Sequence, residues 1–261
     1  MTSDLRRVNE ARFARTARQY AASGIAERHA QNEALLRMTA PTPADRLLDV
    51  ACGPGALLSL FAPRVRHAVG LDLTMAMLRE ARARHPESGA VSLVCAEAER
   101  LPFSDGAFTL VLTTWAVHHF GDPGRVLKEM VRVCRPGGRV AIEDLVGPED
   151  DAARARQNEI ERLRDPAHVE MLSPSGLETL VVSAGLTPVG RVEGDVIRDF
   201  DEWCRIAGTP RDVALRVREM VLRTRSGDLA GMSPVEVDGQ IRFRHHWAVL
   251  VARRNPGPLL Y

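Results

Sequence analysis

Lysine is almost missing from this sequence: Lys128 stands alone among 35 basic residues. Against 34 acidic residues these leave a net charge of +1, without the basic surplus an electrostatically driven nucleic-acid binder carries. No run approaches the ~18 consecutive apolar residues of a membrane span, and the charged start MTSDLRRVNEARF has no apolar stretch behind it. A spanning helix and an export signal are therefore not expected, and the cytoplasm is the expected compartment. The 4 cysteines are far apart and form no CxxC pair, which predicts reduced thiols, mostly buried, and excludes a disulfide frame. Internal repeats and low-complexity segments are absent as well. What is present is an ordinary globular balance, 45% hydrophobic and 26% charged over 261 residues, enough for one large α/β domain.

From about residue 46 to 146, strand-like apolar segments alternate with helical periodicity. Strands are predicted at 47–51, 68–73, 91–95, 108–113 and 139–146. Helices are predicted at 56–62, 74–84 and 122–134. Units of this length imply parallel strands joined by right-handed crossovers, a doubly wound α/β sheet with ligands at the carboxyl ends of its strands. Residues 4–40 are helical by pattern, and Pro41 and Pro43 close that region. Beyond the fifth strand come helices at 150–164 and 173–184, a sixth strand at 186–192, and two helices within 199–225. A hairpin turning at Asp238-Gly239 follows, and the tail 255–261 carries no pattern.

The first strand runs into DVACGPG, Asp49 to Gly55. Gly53 and Gly55 remove side chains where a ligand approaches the backbone at the start of a helix. Asp72 ends the second strand, at the spacing (about 20 residues on) from which an acid accepts the ribose hydroxyls of an adenosine. The pyrophosphate pattern G-x-G-x-x-G is incomplete, because Leu57 and Leu58 stand where a third glycine is needed. Asp49 sets a carboxylate beside the turn, unfavourable to a diphosphate and favourable to an ammonium. A nucleoside bearing a cationic amino-acid tail fits these residues better than a dinucleotide.

With these residues in view, the chain resembles the class I S-adenosylmethionine-dependent methyltransferases, in their UbiE-like small-molecule group. LLDVACGPG resembles the first family motif, HAVGLDLTMAMLREAR the second and CAEAERLPFSDGAF the third. TLVLTTWAVHHFGDP resembles the fourth, and LKEMVRVCRPGGRVAIEDLV the closing helix and strand. The resemblance implies a seven-stranded, mostly parallel Rossmann-like sheet with an antiparallel last strand and a helical lid. It implies S-adenosylmethionine as cofactor. Asp49, Ala51, Gly53 and Gly55 would line the methionyl part and Asp72 would hold the ribose. Leu73 and Met77 would flank the adenine, Glu97 and Ala98 would meet its amino edge, and Thr113 and Thr114 would lie near the sulfonium. Three positions depart from the family pattern: Ala51 for glycine, Glu97 for aspartate and Thr109 for aspartate. The N-terminal signature of the quinone methyltransferases is absent, so a quinone acceptor is not implied.

The methyl would emerge at the fourth strand's end, which carries His118 and His119, each a candidate base near neutral pH. Glu143 and Asp144 end the fifth strand on the same edge and face oppositely. Phe13 and Tyr20 lie on the N-terminal helix that in relatives folds over the cofactor. His168 reads as a turn residue near the substrate mouth, and His245 and His246 point apart, which gives no metal site. The expected organisation is a single domain: a lid at 1–45, a core at 46–193 and 235–253, and a helical insertion at 194–234. The insertion would serve as acceptor cover or as a surface for a second copy. The expected activity is methylation of a small organic acceptor, of the kind met in secondary metabolism, with neither nucleic acid nor membrane as partner. The alternative is an S-adenosylmethionine-binding sensor or cyclase-like enzyme that transfers no methyl. A nicotinamide dehydrogenase and a nucleic-acid or protein methyltransferase fit the motifs less well.

Overall fold

The computed structural model describes residues 3–23, 29–85 and 89–256. Two helices come first, α1 (Ser3–Ala22) and α2 (His29–Thr39). The core then alternates β1 (Arg46–Val50), α3 (Ala56–Phe61), β2 (His67–Asp72), α4 (Met75–Arg84), β3 (Val91–Cys95) and β4 (Phe108–Thr114). It continues through α5 (Pro123–Val133), β5 (Cys134–Val146), α6 (Asp151–Arg164), α7 (Pro174–Ser183) and β6 (Leu186–Asp199). Helices α8 (Phe200–Ala207) and α9 (Arg211–Arg223) precede the closing hairpin β7 (Val235–Val237) and β8 (Gln240–Arg254). The tail residues 257–261 and the middle of the expected N-terminal helical region, 24–28, lie outside the described residues.

The strands run β3-β2-β1-β4-β5-β8-β6, with the short β7 added beside β8. Pairing is parallel from β3 to β5, whereas β8 is antiparallel to both β5 and β6. The sheet is the expected seven-strand path with an antiparallel strand at its end. Chain order reverses at β1 and β4, and that switch point opens a crevice above their carboxyl ends.

Helix starts follow the local chemistry. Asp122, Asp150, Ser173 and Asp199 each accept a backbone N–H of the first turn of α5, α6, α7 and α8. Proline stands at the first helical position of α5 and α7. At α3 the third glycine of a dinucleotide motif, which lets helix and strand approach, is replaced by Leu58. The room is provided instead from the strand: a Cβ on Gly70 of β2 would stand 2.6 Å from Leu58 Cδ1 and 2.8 Å from Cys52 Sγ.

Apolar side chains fill both faces of the sheet, and a third cluster joins α8 and α9 to β8 through Trp203, Val217, Val221 and Phe243. The four cysteines are free thiols, of which Cys95 is exposed. Two boundaries need correction. Strand β5 begins at Cys134, five residues before the expected 139. Strand β6 does not stop at residue 192 but runs on to Asp199, so residues 194–199 belong to the sheet and not to a helical insertion. The polar stretch Glu193-Gly194-Asp195 looks loop-like in sequence. Gly194 is nonetheless a strand residue, because a Cβ there would collide with the indole of Trp247 on β8.

Candidate active site

The crevice above β1, β2 and β4 encloses about 1080 Å³, part of it open to solvent, with α1 forming one wall. Its floor is the turn after β1. Ala51, Gly53 and Gly55 all take left-handed backbone angles (φ 60°, 53° and 74°), which winds the chain sharply from strand to helix. The Cys52 N–H donates to the Leu71 carbonyl at 2.9 Å, and the Gly53 N–H donates to Asp72 Oδ2 at 2.9 Å. Asp72 Oδ1 accepts from the Thr74 N–H at 2.8 Å. Burial, opposed by these two amides, leaves the Asp72 carboxyl above the ordinary aspartate range. The two amides and the Thr74 hydroxyl take at most three of the four acceptor positions, so the carboxylate still accepts from a ligand.

Most residues singled out in the sequence meet here. Ala51, Gly53 and Asp72 form the turn side of the wall, Leu73 and Met77 an apolar side, and Glu97, Ala98 and Thr114 the side beneath β3 and β4. Tyr20 and His119 face them from α1 and the β4 end. A Cβ on Gly53 would meet nothing within 4 Å, so this glycine leaves open space at the cleft. Glu97 is ion-paired with Arg6 of α1.

Four of the expected residues are not on the wall. Asp49 is buried within β1, opposite Gly70 and Leu112. The hydroxyl of Thr113 donates to the Val50 carbonyl at 2.8 Å, turned into the sheet because adjacent strand residues face oppositely and Thr114 takes the cleft side. Gly55 is a packing glycine, since a Cβ there would stand 3.0 Å from the Cβ of Ala81 on α4. His118 is buried behind the wall. Conversely Asn9, Trp115 and Phe120 line the cleft without having been singled out. Trp115 lay inside the fourth motif, at a left-handed φ of 50° that nothing in the sequence announces. Asn9 comes from α1, where its amide donates to the His119 carbonyl at 3.3 Å.

The two adjacent histidines have different partners. His118 Nδ1–H donates to Asp144 Oδ1 at 2.6 Å, and its backbone N–H donates to Oδ2 at 3.0 Å. Burial disfavours the charged ring, yet the Asp144 carboxylate outweighs it and raises the pKa above 6.5. His119 Nδ1 meets the Ala167 carbonyl at 2.8 Å. A carbonyl only accepts, so Nδ1 carries the proton and Nε2 holds the lone pair. Burial, reinforced by His118 and Arg12, pushes its pKa well below 6.5. His119 also packs edge-on against Phe13, with centroids 5.0 Å apart. His168 is buried rather than exposed in a turn: its Nε2–H donates to Asn158 Oδ1 at 2.7 Å, and burial lowers its pKa to about 3. Although these three rings cluster, no three His, Cys, Asp or Glu side chains gather in a metal-holding group among the described residues.

A doubly wound sheet with a glycine turn and a strand-terminal acid at its switch point defines a nucleoside-binding α/β protein. Comparison with known proteins narrows that class. The family profile of the methyltransferase domain matches residues 48–142. An uncharacterized methyltransferase, YcgJ of Bacillus subtilis (strain 168), is 30% identical over 207 residues, covering 78% of this chain and 81% of YcgJ. The solved structure of YcgJ superposes with a TM-score of 0.81 at 25% identity, over 88% of this chain and all (100%) of that one. The malonyl-[acyl-carrier protein] O-methyltransferase of Pseudescherichia vulneris is 34% identical over 140 residues, 54% of each chain. The [4+2]-cyclase SpnF (TM-score 0.62, 18% identity, covering 87% of this chain and 81% of that one) shares the fold alone. The chain belongs to the class I S-adenosylmethionine-dependent methyltransferases, in their UbiE-like group. Its cofactor is S-adenosylmethionine. The cleft fits that group, with open space over Gly53, a buried acceptor carboxylate at Asp72 and apolar walls at Leu73 and Met77.

Proposed function

We propose that the chain methylates a small organic molecule held between the β4 and β5 ends and a cover made by α1, α8 and α9. Bound S-adenosylmethionine supplies a methyl already activated on a sulfonium, so alignment and exclusion of water do much of the catalysis. Asp72 holds the ribose and Gly53 and Ala51 give room for the methionyl chain. Leu73, Met77 and Ala98 form the adenine slot, and Thr114 lies beside the reacting end. Tyr20 and Phe13 close the cleft from the N-terminal lid, residues 1–45. The core, 46–199 and 235–253, and the cover, 200–234, complete a single domain.

His119 carries the base function where the acceptor must lose a proton. Its neutral ring faces the cleft, and the Ala167 carbonyl fixes the tautomer with the lone pair on Nε2. His118, bonded to Asp144, braces the loop instead: its own carbonyl accepts the N–H of Val169 at 2.8 Å.

The observation that carries this reading is a buried carboxylate on the cleft wall, tied by backbone bonds to both the glycine turn and the start of α4. Calorimetry with S-adenosylhomocysteine tests it. Asp72→Ala should bind about tenfold more weakly or worse, the loss of a charge-assisted pair of hydrogen bonds. Asp72→Asn, which keeps one acceptor oxygen, should fall between. Equal affinity of all three proteins, each verified as folded, would remove the ribose assignment. Release of S-adenosylhomocysteine in the presence of small acceptors then measures transfer itself.

A further inference from the structure

A set of buried charges lies next to the cleft, between α1, α6 and the outer strands. Arg12 and Asp165, 5% and 0% exposed, pair through two bonds at 3.2 and 2.6 Å. Arg164 meets Glu161 at 2.8 Å, and His245 Nε2 stands 3.0 Å from the other Glu161 oxygen. Two guanidinium groups are thus matched by two carboxylates. The fully buried Glu143, bonded to Trp115, is a third carboxylate of this side, and Arg198, half-buried near the end of β6, is a third cation. No carboxylate of the described residues forms an ion pair with it, and its Nε is buried without a hydrogen-bond partner.

Its direction is set by the ladder. Arg198 lies opposite Phe243 and Val196 opposite His245, and directly opposed residues share a face of the sheet. Arg198 therefore faces the same side as His245 and Trp247. Its guanidinium carbon stands 5.6 Å from the ring centroid of Trp115, a cleft wall residue. The Trp115 indole N–H donates to Glu143 Oε1 at 2.9 Å, which fixes the ring as a platform between cleft and cation. Arg164 repels Arg198, whereas Glu161, Glu202 and Tyr20 act on it only through space. A guanidinium nitrogen withdrawn from water without a bonded partner is costly, and the planar fork matches a carboxylate.

We propose that Arg198 is the counter-ion of the methyl acceptor, which is a small organic acid with its carboxylate on Arg198 and its body along Trp115 and Tyr20. This specificity residue rests on the methyltransferase reading of the cleft, and no described carboxylate competes for the position. The acid would span from Arg198, past the indole, to the His119 end of the cleft.

Calorimetry on protein saturated with S-adenosylhomocysteine tests it, with benzoate, its neutral isostere benzamide, and inorganic phosphate as probes. Benzoate should bind at millimolar concentration, with benzamide about tenfold weaker or worse. Arg198→Gln should abolish the preference and Arg198→Lys should keep part of it, with S-adenosylhomocysteine affinity in both within about twofold of wild type. Equal binding of benzoate and benzamide, no benzoate binding, or unaltered benzoate binding by R198Q overturns the proposal. Arg198-dependent binding of phosphate alone overturns the carboxylate assignment. Loss of S-adenosylhomocysteine binding by the wild type would instead strike the cleft reading beneath it.

Discussion

Two neighbouring histidines of one residue type hold their protons oppositely. Burial disfavours charge on both rings, but Asp144 outweighs that burial and raises His118 above 6.5, whereas burial, reinforced by His118 and Arg12, drives His119 well below it despite its bond to the Ala167 carbonyl. If the carboxylate is responsible, Asp144→Asn should bring the His118 titration, followed by NMR of its ring protons, below 6.5. His119 should stay neutral across the same range. A His118 titration unmoved by the substitution would contradict the assignment. The sequence marked both histidines as candidate bases and had no means of ranking them. Their partners lie 26 and 48 residues further along the chain, and contacts at that separation exist only once β5 and the loop after α6 are in place. Asp72 could be singled out because its link to the Gly53 N–H closes one short β1–α3–β2 unit. Gly55 could not be told from a packing glycine in sequence, because one local motif serves both close ligand approach and the helix packing seen against Ala81.

Among the elements, those of the parallel core could be read closely, since a buried strand between turn signals leaves few alternatives. Strand β3 falls at 91–95 as expected from sequence, β1 and β2 differ from expectation by a residue at each end, and α4 by a residue at its start. β6 was cut short because a glycine between acids looks like a loop until Trp247 is seen lying on it. α1 shows another gap. Its sequence is strongly polar, and what holds it over the cleft is polar too: Arg12 to Asp165, Arg6 to Glu97, and the Gln19 amide to the Arg205 carbonyl at 2.7 Å. Arg12→Ala leaves Asp165 fully buried without its guanidinium, and removing one partner of such a pair typically costs about 3–5 kcal/mol. We expect faster amide exchange along α1 together with a lower urea midpoint. Exchange unchanged along α1 would mean that other contacts hold the helix.

Across the whole molecule, the sheet divides the work between two ends joined at the switch point. The β1–β4 side carries the cofactor motifs in one compact stretch, which explains why the cofactor half was legible. The β6–β8 side carries the cover and the buried charges, assembled from residues as distant in the chain as Arg12 and His245. That buried polar side makes the fold sensitive to acid. His168, His119 and His245 are all held neutral by burial, with pKa values lowered from 6.5, that of His168 to about 3. Below pH 6.5 the unfolded chain takes up protons that the folded one refuses, so stability falls as pH falls toward each folded value. For His168 alone the loss between pH 7.5 and 5 is about 2 kcal/mol. Asp45 extends the trend. Burial would raise its carboxyl, but hydrogen bonds from Arg139, Thr109 and Thr42 outweigh that and hold it at about 2 instead of 3.8. Its contribution is present above 3.8 and disappears as pH drops toward 2. His118 and Asp72 have the opposite sign, their raised values favouring the folded state at lower pH. The His168 component is isolated by comparing slopes. Urea unfolding of the wild type should weaken from pH 7.5 to 5, and His168→Asn, whatever its stability at neutral pH, should weaken by about 2 kcal/mol less over the same interval. Parallel pH profiles for the two proteins would show that His168 takes up its proton as readily folded as unfolded, and that burial does not keep the ring neutral.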